Sequence, residues 1–277
     1  MKQIVLRLCW WMIAGALPFS THSQDRVFAR IYQTNILPKG VKDLESWTTF
    51  RFGRENFYSR IDQRLEFEIG VAKRLQSALY LNISHLKFAE ITNGNLAKET
   101  ETAISVSSEW KVKFSDPAAN VLGTGLYAEA TVGPDEFELE GKLLLDKIFG
   151  KNLIAFNAVG EAEWEAETEL KDGEFETKIE LEKTPVELDL GYMYLASIKF
   201  GIGIELRNHN LITKEDGWVS SAFFGGPTVY YNAENWWIML NVLPQWANFK
   251  SSSMEGARDL IWHEKAEIRI LFSLTIP

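Results

Sequence analysis

Apolar and polar residues alternate along most of this chain. In "EAEWEAETEL" (161–170), glutamate stands at 161, 163, 165, 167 and 169, with Ala162, Trp164, Ala166 and Leu170 among the residues between. A helix turns residues two apart by about 200°, which would spread those glutamates around its whole circumference. A strand gathers them on one face and leaves the other face apolar, so a strand is predicted. "RLEFEIG" repeats the pattern, with Leu65, Phe67 and Ile69 opposite Arg64, Glu66 and Glu68. So do "AISVSSEWKVKF", "EFELEGKLLL", "VELDLGYMYL", "SIKFGIGIEL" and "KAEIRILFSLTI". About twelve such segments are predicted, near 45–54, 60–71, 75–88, 100–114, 122–132, 136–148, 153–170, 174–190, 196–207, 218–231, 235–248 and 260–276. Turn signals such as "SDPAAN", "VGPDE", "FGKN" and "YNAEN" separate them. No long helix is predicted.

One hairpin is specified closely. Asp172-Gly173 is a strong two-residue turn signal. It sets Trp164 opposite Leu181, Ala166 opposite Ile179 and Leu170 opposite Phe175. On the other face Glu169 meets Glu176, Glu165 meets Glu180 and Glu163 meets Glu182, and only Glu167 finds a cation, Lys178. Directly opposed like charges destabilise a sheet, and a dry core could not hold them. This face is therefore expected to be wet or to hold cations.

Charge sharpens the picture. Residues 161–189 carry twelve acids and three lysines, which is the whole net charge of −9. The rest of the chain is balanced, so no nucleic-acid partner is expected. The first residues, "MKQIVLRLCWWMIAGALPFSTHS", place Lys2 and Arg7 ahead of an apolar run from Leu8 to Leu17. That is the form of a secretory signal peptide, with cleavage after Ser23 or Ser20. Cys9 is the only cysteine and lies within it, so neither thiol chemistry nor a disulfide is expected in the mature chain.

Two architectures cover this much alternating sheet. A sandwich buries the apolar face between two sheets; a transmembrane barrel turns it to lipid and the polar face to a watery lumen. The export signal, the even count and strands reaching the roughly 9–11 residues needed to span favour the barrel. So do aromatics near strand ends, which suit the headgroup level: Tyr192, Tyr194, Phe223, Phe224, Trp236, Trp237, Trp246 and Trp262. The expected organisation is a signal peptide at 1–23, a periplasmic N-terminal lead-in segment at 24–44, and an all-β, single antiparallel barrel of about twelve strands at 45–277. Turns near 72–75, 116–121, 149–152, 191–197 and 231–235 are expected at the periplasmic end, with both termini.

Two stretches add a resemblance. "TNILPKGVKDLE" (34–45) resembles the LP-x-G…LE segment that precedes the first strand in a group of uncharacterised Gram-negative outer-membrane β-barrels. That group includes the family named for a phenol-degradation pathway and classed with outer-membrane transporters. "GGPTVYYNAENWWIMLNVLPQ" (225–245) resembles the penultimate hairpin of one such family. The resemblance runs from about residue 26 onward, implies an outer-membrane location, and carries no catalytic residues.

The candidate site is the acidic ladder Glu161, Glu163, Glu165, Glu167, Glu169, Glu176, Glu180 and Glu182, expected on the lumen wall. Opposed carboxylates can bind a hard cation through oxygen, form a cation-favouring constriction, or stand as a solvated wall; the sequence leaves metal open. Ser84 adjoins His85, but strand neighbours point to opposite faces. His209 and His263 are isolated in sequence. No catalytic residue and no cofactor is expected, and an outer-membrane lipid hydrolase is the enzymatic alternative. The expected function is a passive, porin-like small-solute channel favouring cations; the alternative is a closed structural or binding barrel. The expected partners are outer-membrane lipid, the barrel-assembly machinery, and small solutes or cations.

Overall fold

The computed structural model describes residues 26–92, 95–171, 174–251 and 256–276. The signal segment and the Asp172-Gly173 turn lie outside them. Among the described residues thirteen strands follow one another: β1 (Lys42–Phe52), β2 (Tyr58–Ala72), β3 (Leu75–Thr92), β4 (Asn95–Ser115), β5 (Gly123–Val132), β6 (Glu136–Phe149), β7 (Asn152–Lys171), β8 (Glu174–Lys183), β9 (Val186–Leu195), β10 (Phe200–Thr213), β11 (Gly217–Asn232), β12 (Trp236–Lys250) and β13 (Ala266–Ile276). All pairings are antiparallel. β13 returns to β1 along the full length of both, from Lys42↔Ile276 to Phe52↔Ala266, so the sheet closes.

Thirteen strands fill twelve positions. β8 and β9 both pair with β7, on its second and first halves. The break between them falls at Thr184-Pro185, because proline has no N–H to give the ladder. The wall stays continuous there: Glu161 N donates to Pro185 O at 3.0 Å, and Thr184 N to Ile212 O at 2.8 Å. The result is an all-β, twelve-position barrel of the outer-membrane type, as the alternation predicts.

The alternation decides the faces. Leu44, Phe67, Leu79, Trp110, Leu126, Leu139, Leu188, Ile202 and Phe272 point outward and are exposed. Their strand neighbours Asp43, Glu66, Glu68, Glu109 and Glu129 point inward and are buried. An apolar band of this extent has no stable place in water and fits hydrocarbon. Two expected girdle residues are corrections. Trp237 and Phe224 are 3 % and 0 % exposed and face inward, since adjacent aromatics on a strand cannot share a face. Trp236, Tyr192 and Tyr194 do face outward.

The turns after β2, β4, β6, β9 and β11 lie at the same end as the start of β1 and the end of β13. At the opposite rim two hairpins outrun their neighbours. β4 meets β5 only from Val106 onward, so its earlier residues pair with β3 alone. Residues 167–170 of β7 and 175–178 of β8 pair only with each other; β10 reaches β8 only at Thr213↔Lys183.

Candidate functional site

The site is the lumen, and its largest occupant is the chain's own N-terminal segment. Residues 24–44 are expected in the periplasm; the described part ahead of β1 instead folds into the barrel. The physical reason lies in its composition. Val27, Phe28, Ile31, Tyr32, Ile36 and Leu37 are apolar or aromatic and end up buried. Phe28, Ile31 and Tyr32 form one core with the inward Trp47, Tyr127, Leu144, Leu153, Met193, Tyr230 and Leu271. Gly191 makes the room: a Cβ there would lie 2.8 Å from both Phe28 Cε1 and Ile31 Cδ1.

Irregular backbone buried this way must find partners, and wall side chains supply them. Glu205 of β10 accepts from Ala29 N at 2.9 Å and Arg30 N at 2.8 Å. Asn157 of β7 binds both sides of one residue, accepting from Tyr32 N at 2.7 Å and donating to Tyr32 O at 2.9 Å. Asp146 of β6 accepts from Thr34 Oγ1 at 2.6 Å, and Gln76 of β3 accepts from Leu37 N at 2.7 Å. Arg269 of β13 donates to Ala29 O at 3.3 Å, and Arg30 pairs with Glu267. The Arg26 guanidinium lies 3.9 Å from the Tyr32 ring centroid and 4.1 Å from that of Trp47. The segment is thus clasped from most of the circumference.

Beyond this stopper the wall is split by charge. On one side stand Arg51, Arg207 and Arg269; Arg51 reaches Asp62 at 2.8 Å and Glu264 at 3.1 Å, and Arg207 reaches Glu267 at 3.0 Å. On the other side the β6–β7 wall is acidic. Glu138 is directly opposite Glu163, and Glu140 opposite Glu161. These four are only half-buried, so water reaches them.

The ladder itself divides. The predicted pairings Trp164↔Leu181, Glu165↔Glu180, Ala166↔Ile179, Glu167↔Lys178, Glu169↔Glu176 and Leu170↔Phe175 are all present. One pairing is corrected: a register shift between Glu163 and Trp164 puts Lys183, not Glu182, opposite Glu163. Lys183 Nζ then bonds Glu163 at 3.2 Å and Glu165 at 3.1 Å, while Lys214 pairs with Glu180. Lys178 is therefore not the only cation on this face. The position of the ladder is corrected too. Glu161 and Glu163 line the lumen; Glu165, Glu176 and Glu180 are exposed at or beyond the rim, and Glu182 is half-buried in a shallow cleft with Lys183 and Lys214. The backbones of Glu167 and Glu169 lie on the same projection, because β7 continues past the end of β6. The side chains of Glu167 and Glu169 lie outside the described residues.

The far mouth is capped by the loop before β13. Asp259 is fully buried, accepts from Ser220 Oγ, and receives Ile261 N at 3.1 Å and Trp262 N at 3.2 Å. Two histidines isolated in sequence meet here: the rings of His209 and His263 are 4.8 Å apart, and neither Nε2 has a hydrogen-bond partner among the described residues. Ser84 and His85 diverge as expected, Ser84 toward Asp62 and His85 toward Thr102. Burial pushes the His263 imidazole down to about 4, against the opposite pull of Glu264 and Asp259 and with the help of Arg207 and Arg54. A histidine depressed below its unfolded value contributes stability above about pH 6.5 that is lost as pH falls toward its folded value. The cap should therefore be protected from protease at Arg258 at pH 7.5 and open as pH approaches 4. Equal protection at both ends of that range would refute a neutral buried His263.

Three solved structures share the architecture. The chain superposes on the COG4313 outer membrane channel from Pseudomonas putida F1 with a TM-score of 0.60 and 10 % identity, covering 91 % of this chain and 100 % of that one. For the KdgM porin in complex with disordered oligogalacturonate the values are 0.51 and 9 %, covering 85 % and 99 %. For the β-domain of the Bordetella autotransporter BrkA they are 0.51 and 10 %, covering 86 % and 100 %. Identities this low carry the fold alone. No curated protein matches the chain. A family model described as a family of unknown function, DUF6662, matches residues 20–275.

Proposed function

The chain belongs to this family of unknown function, DUF6662, and from its barrel we propose an outer-membrane channel that passes small solutes, prefers cations and is narrowed by its own N-terminal segment. One observation carries the reading: Glu138, Glu140, Glu161 and Glu163 form a wet acidic wall above the stopper, with Lys142 and Lys183 as its flanking cations. Fixed charge on a low-dielectric wall concentrates counter-ions in the passage. The arginine wall is largely neutralised by Asp62, Glu187, Glu264 and Glu267, so the acidic side dominates the water-filled part. The likeness of residues 34–45 to barrels of the phenol-degradation-pathway type, and of the fold to channels and porins, supports transport over adhesion.

The test is conductance in planar bilayers. Under a salt gradient the reversal potential should show cation preference. The triple variant Glu138→Gln, Glu161→Gln, Glu163→Gln should lose most of it while keeping the barrel folded. Anion preference in the unmodified protein, or selectivity indifferent to the three changes, would sink the proposal. A second reading, a closed barrel without transport, has support in the buried segment at one mouth and the buried Asp259 and His263 at the other. It predicts no conductance even when the stopper is removed.

A further inference from the structure

We propose that Asp43, Glu45, Glu66, Glu68 and Glu109 form a calcium site in the lumen wall beside β1, apart from the acidic wall of β6 and β7. Asp43 is directly opposite Glu68, and Glu45 directly opposite Glu66, on successive inward positions of β1 and β2. Glu109 comes from β4 across Ala78, which is opposite both Glu68 and Glu109 and is small enough to let them approach. All five carboxylates are 2 % exposed or less.

Two sets of three share Glu68. Ligand oxygens of Asp43, Glu45 and Glu68 lie within 4.8 Å of one another, and so do those of Glu66, Glu68 and Glu109. Calcium binds oxygens at about 2.3–2.6 Å, so ligands on opposite sides of one ion stand about 4.6–5.2 Å apart. The spacing fits an ion between them, with Glu68 as the shared ligand.

Acids alone would not make a site. The second observation is Glu66. Both of its oxygens are buried and no donor among the described residues reaches either of them; the neighbouring polar group is the carboxylate of Glu68. Two buried acceptors face to face have no favourable arrangement unless a proton or a cation lies between. Donors do reach the edge of the cluster, Trp47 Nε1 to Glu45 at 2.9 Å and Tyr80 OH to Glu109. Lys111 and Arg26 also lie near Glu109. Arg64, paired with Glu129, lies near Glu66 as well. Among the described residues these three cations against five carboxylates still leave an excess that a divalent ion would offset. Oxygen-only, all-carboxylate ligation selects a hard cation.

The test uses the purified full-length barrel in detergent, stripped with a chelator and titrated with terbium. Trp47, bonded to Glu45, is placed to sensitise the emission. Saturable terbium luminescence that calcium displaces is expected, together with a rise in the thermal midpoint on adding calcium. Glu68→Gln and Glu66→Gln keep side-chain size and remove repulsion, so both should fold. Glu68→Gln should weaken calcium binding at least about tenfold, roughly the effect of losing one charged ligand. No saturable, calcium-displaceable signal in the unmodified protein would overturn the proposal, and would leave a cluster held by protons. A Glu68→Gln protein that titrates like the original would overturn it equally. Should that variant not fold, Glu66→Gln and the unmodified titration decide.

Discussion

Deleting residues 26–37 is expected to raise the single-channel conductance of the barrel several-fold. The segment fills the middle of the lumen with Phe28, Ile31 and Tyr32, and its backbone is bonded to Glu205, Asn157, Asp146 and Gln76. A barrel of this size has an interior that side chains alone can largely fill, so one extra stretch of chain decides whether a path exists. The wall should survive the deletion, because its hydrogen bonds run strand to strand and close at β1–β13. Some stability should be lost, since Trp47, Tyr127 and Leu144 would face water. Planar-bilayer recording of the deletion variant, after circular dichroism has shown an intact sheet, checks the result. An intact deleted barrel with unchanged conductance would mean that the segment is not the constriction.

Replacing Gly70 by valine is expected to loosen the same segment without removing it. A Cβ at Gly70 would stand 2.2 Å from Pro38 O and 2.5 Å from Leu37 O. Both are backbone atoms, so the chain ahead of β1 has to move. The two bonds that seat it there, Gly40 N to Gly70 O at 2.8 Å and Gly70 N to Val41 O at 3.0 Å, would be strained together. The hold on the segment is the small difference of larger quantities. Ordering each residue costs about 1–2 kcal/mol. Each large buried side chain returns about 1.5–3 kcal/mol and each hydrogen bond about 1 kcal/mol. A loss of about 1.4 kcal/mol multiplies the released population about tenfold. Cleavage by trypsin after Arg30, whose side chain is 7 % exposed in the seated state, should accelerate accordingly. Gly160→Val is the matched control, because a Cβ there meets nothing within 4 Å. Equal cleavage of the two variants would show that Gly70 has no seating role.

The barrel was legible because membrane strands must alternate, and one hairpin was legible almost rung by rung. From a turn at Asp172-Gly173 the chain has no freedom in how Leu170, Ala166 and Trp164 meet Phe175, Ile179 and Leu181. The same reasoning failed at Glu163, where the partner strand breaks at Pro185 and the register slips toward Lys183. A break is not visible in hairpin arithmetic, although the proline that causes it is in plain view. The excess length of the hairpin was also hidden, because alternation continues on a projecting ribbon as it does on a wall. Only the neighbour's end at Glu136 marks the rim.

The candidate site is less legible in the sequence. Alternation puts Glu66 and Glu68 on the inward face, but their opposition to Glu45 and Asp43 depends on the β1–β2 register, across a turn without a strong two-residue signal. Glu109 joins them only through β3. The lead-in segment carried a usable clue: a run containing Val27, Phe28, Ile31, Tyr32, Ile36 and Leu37 has too much apolar surface to remain in water. What it lacked was a strand pattern, so sequence periodicity had nothing to say about where it goes.

The seam between β1 and β13 joins the earliest strand to the latest; Thr49 and Arg269, bonded at 2.8 Å, are 220 residues apart. The free edge of β1 stays unpaired until β13, far away along the chain, docks against it. The seat of the N-terminal segment is drawn from β3, β6, β7, β10 and β13, so it is complete only when that last strand arrives. An unclosed ring therefore has no complete seat for the stopper, and closure of the β1–β13 seam makes sealing the final act of assembly.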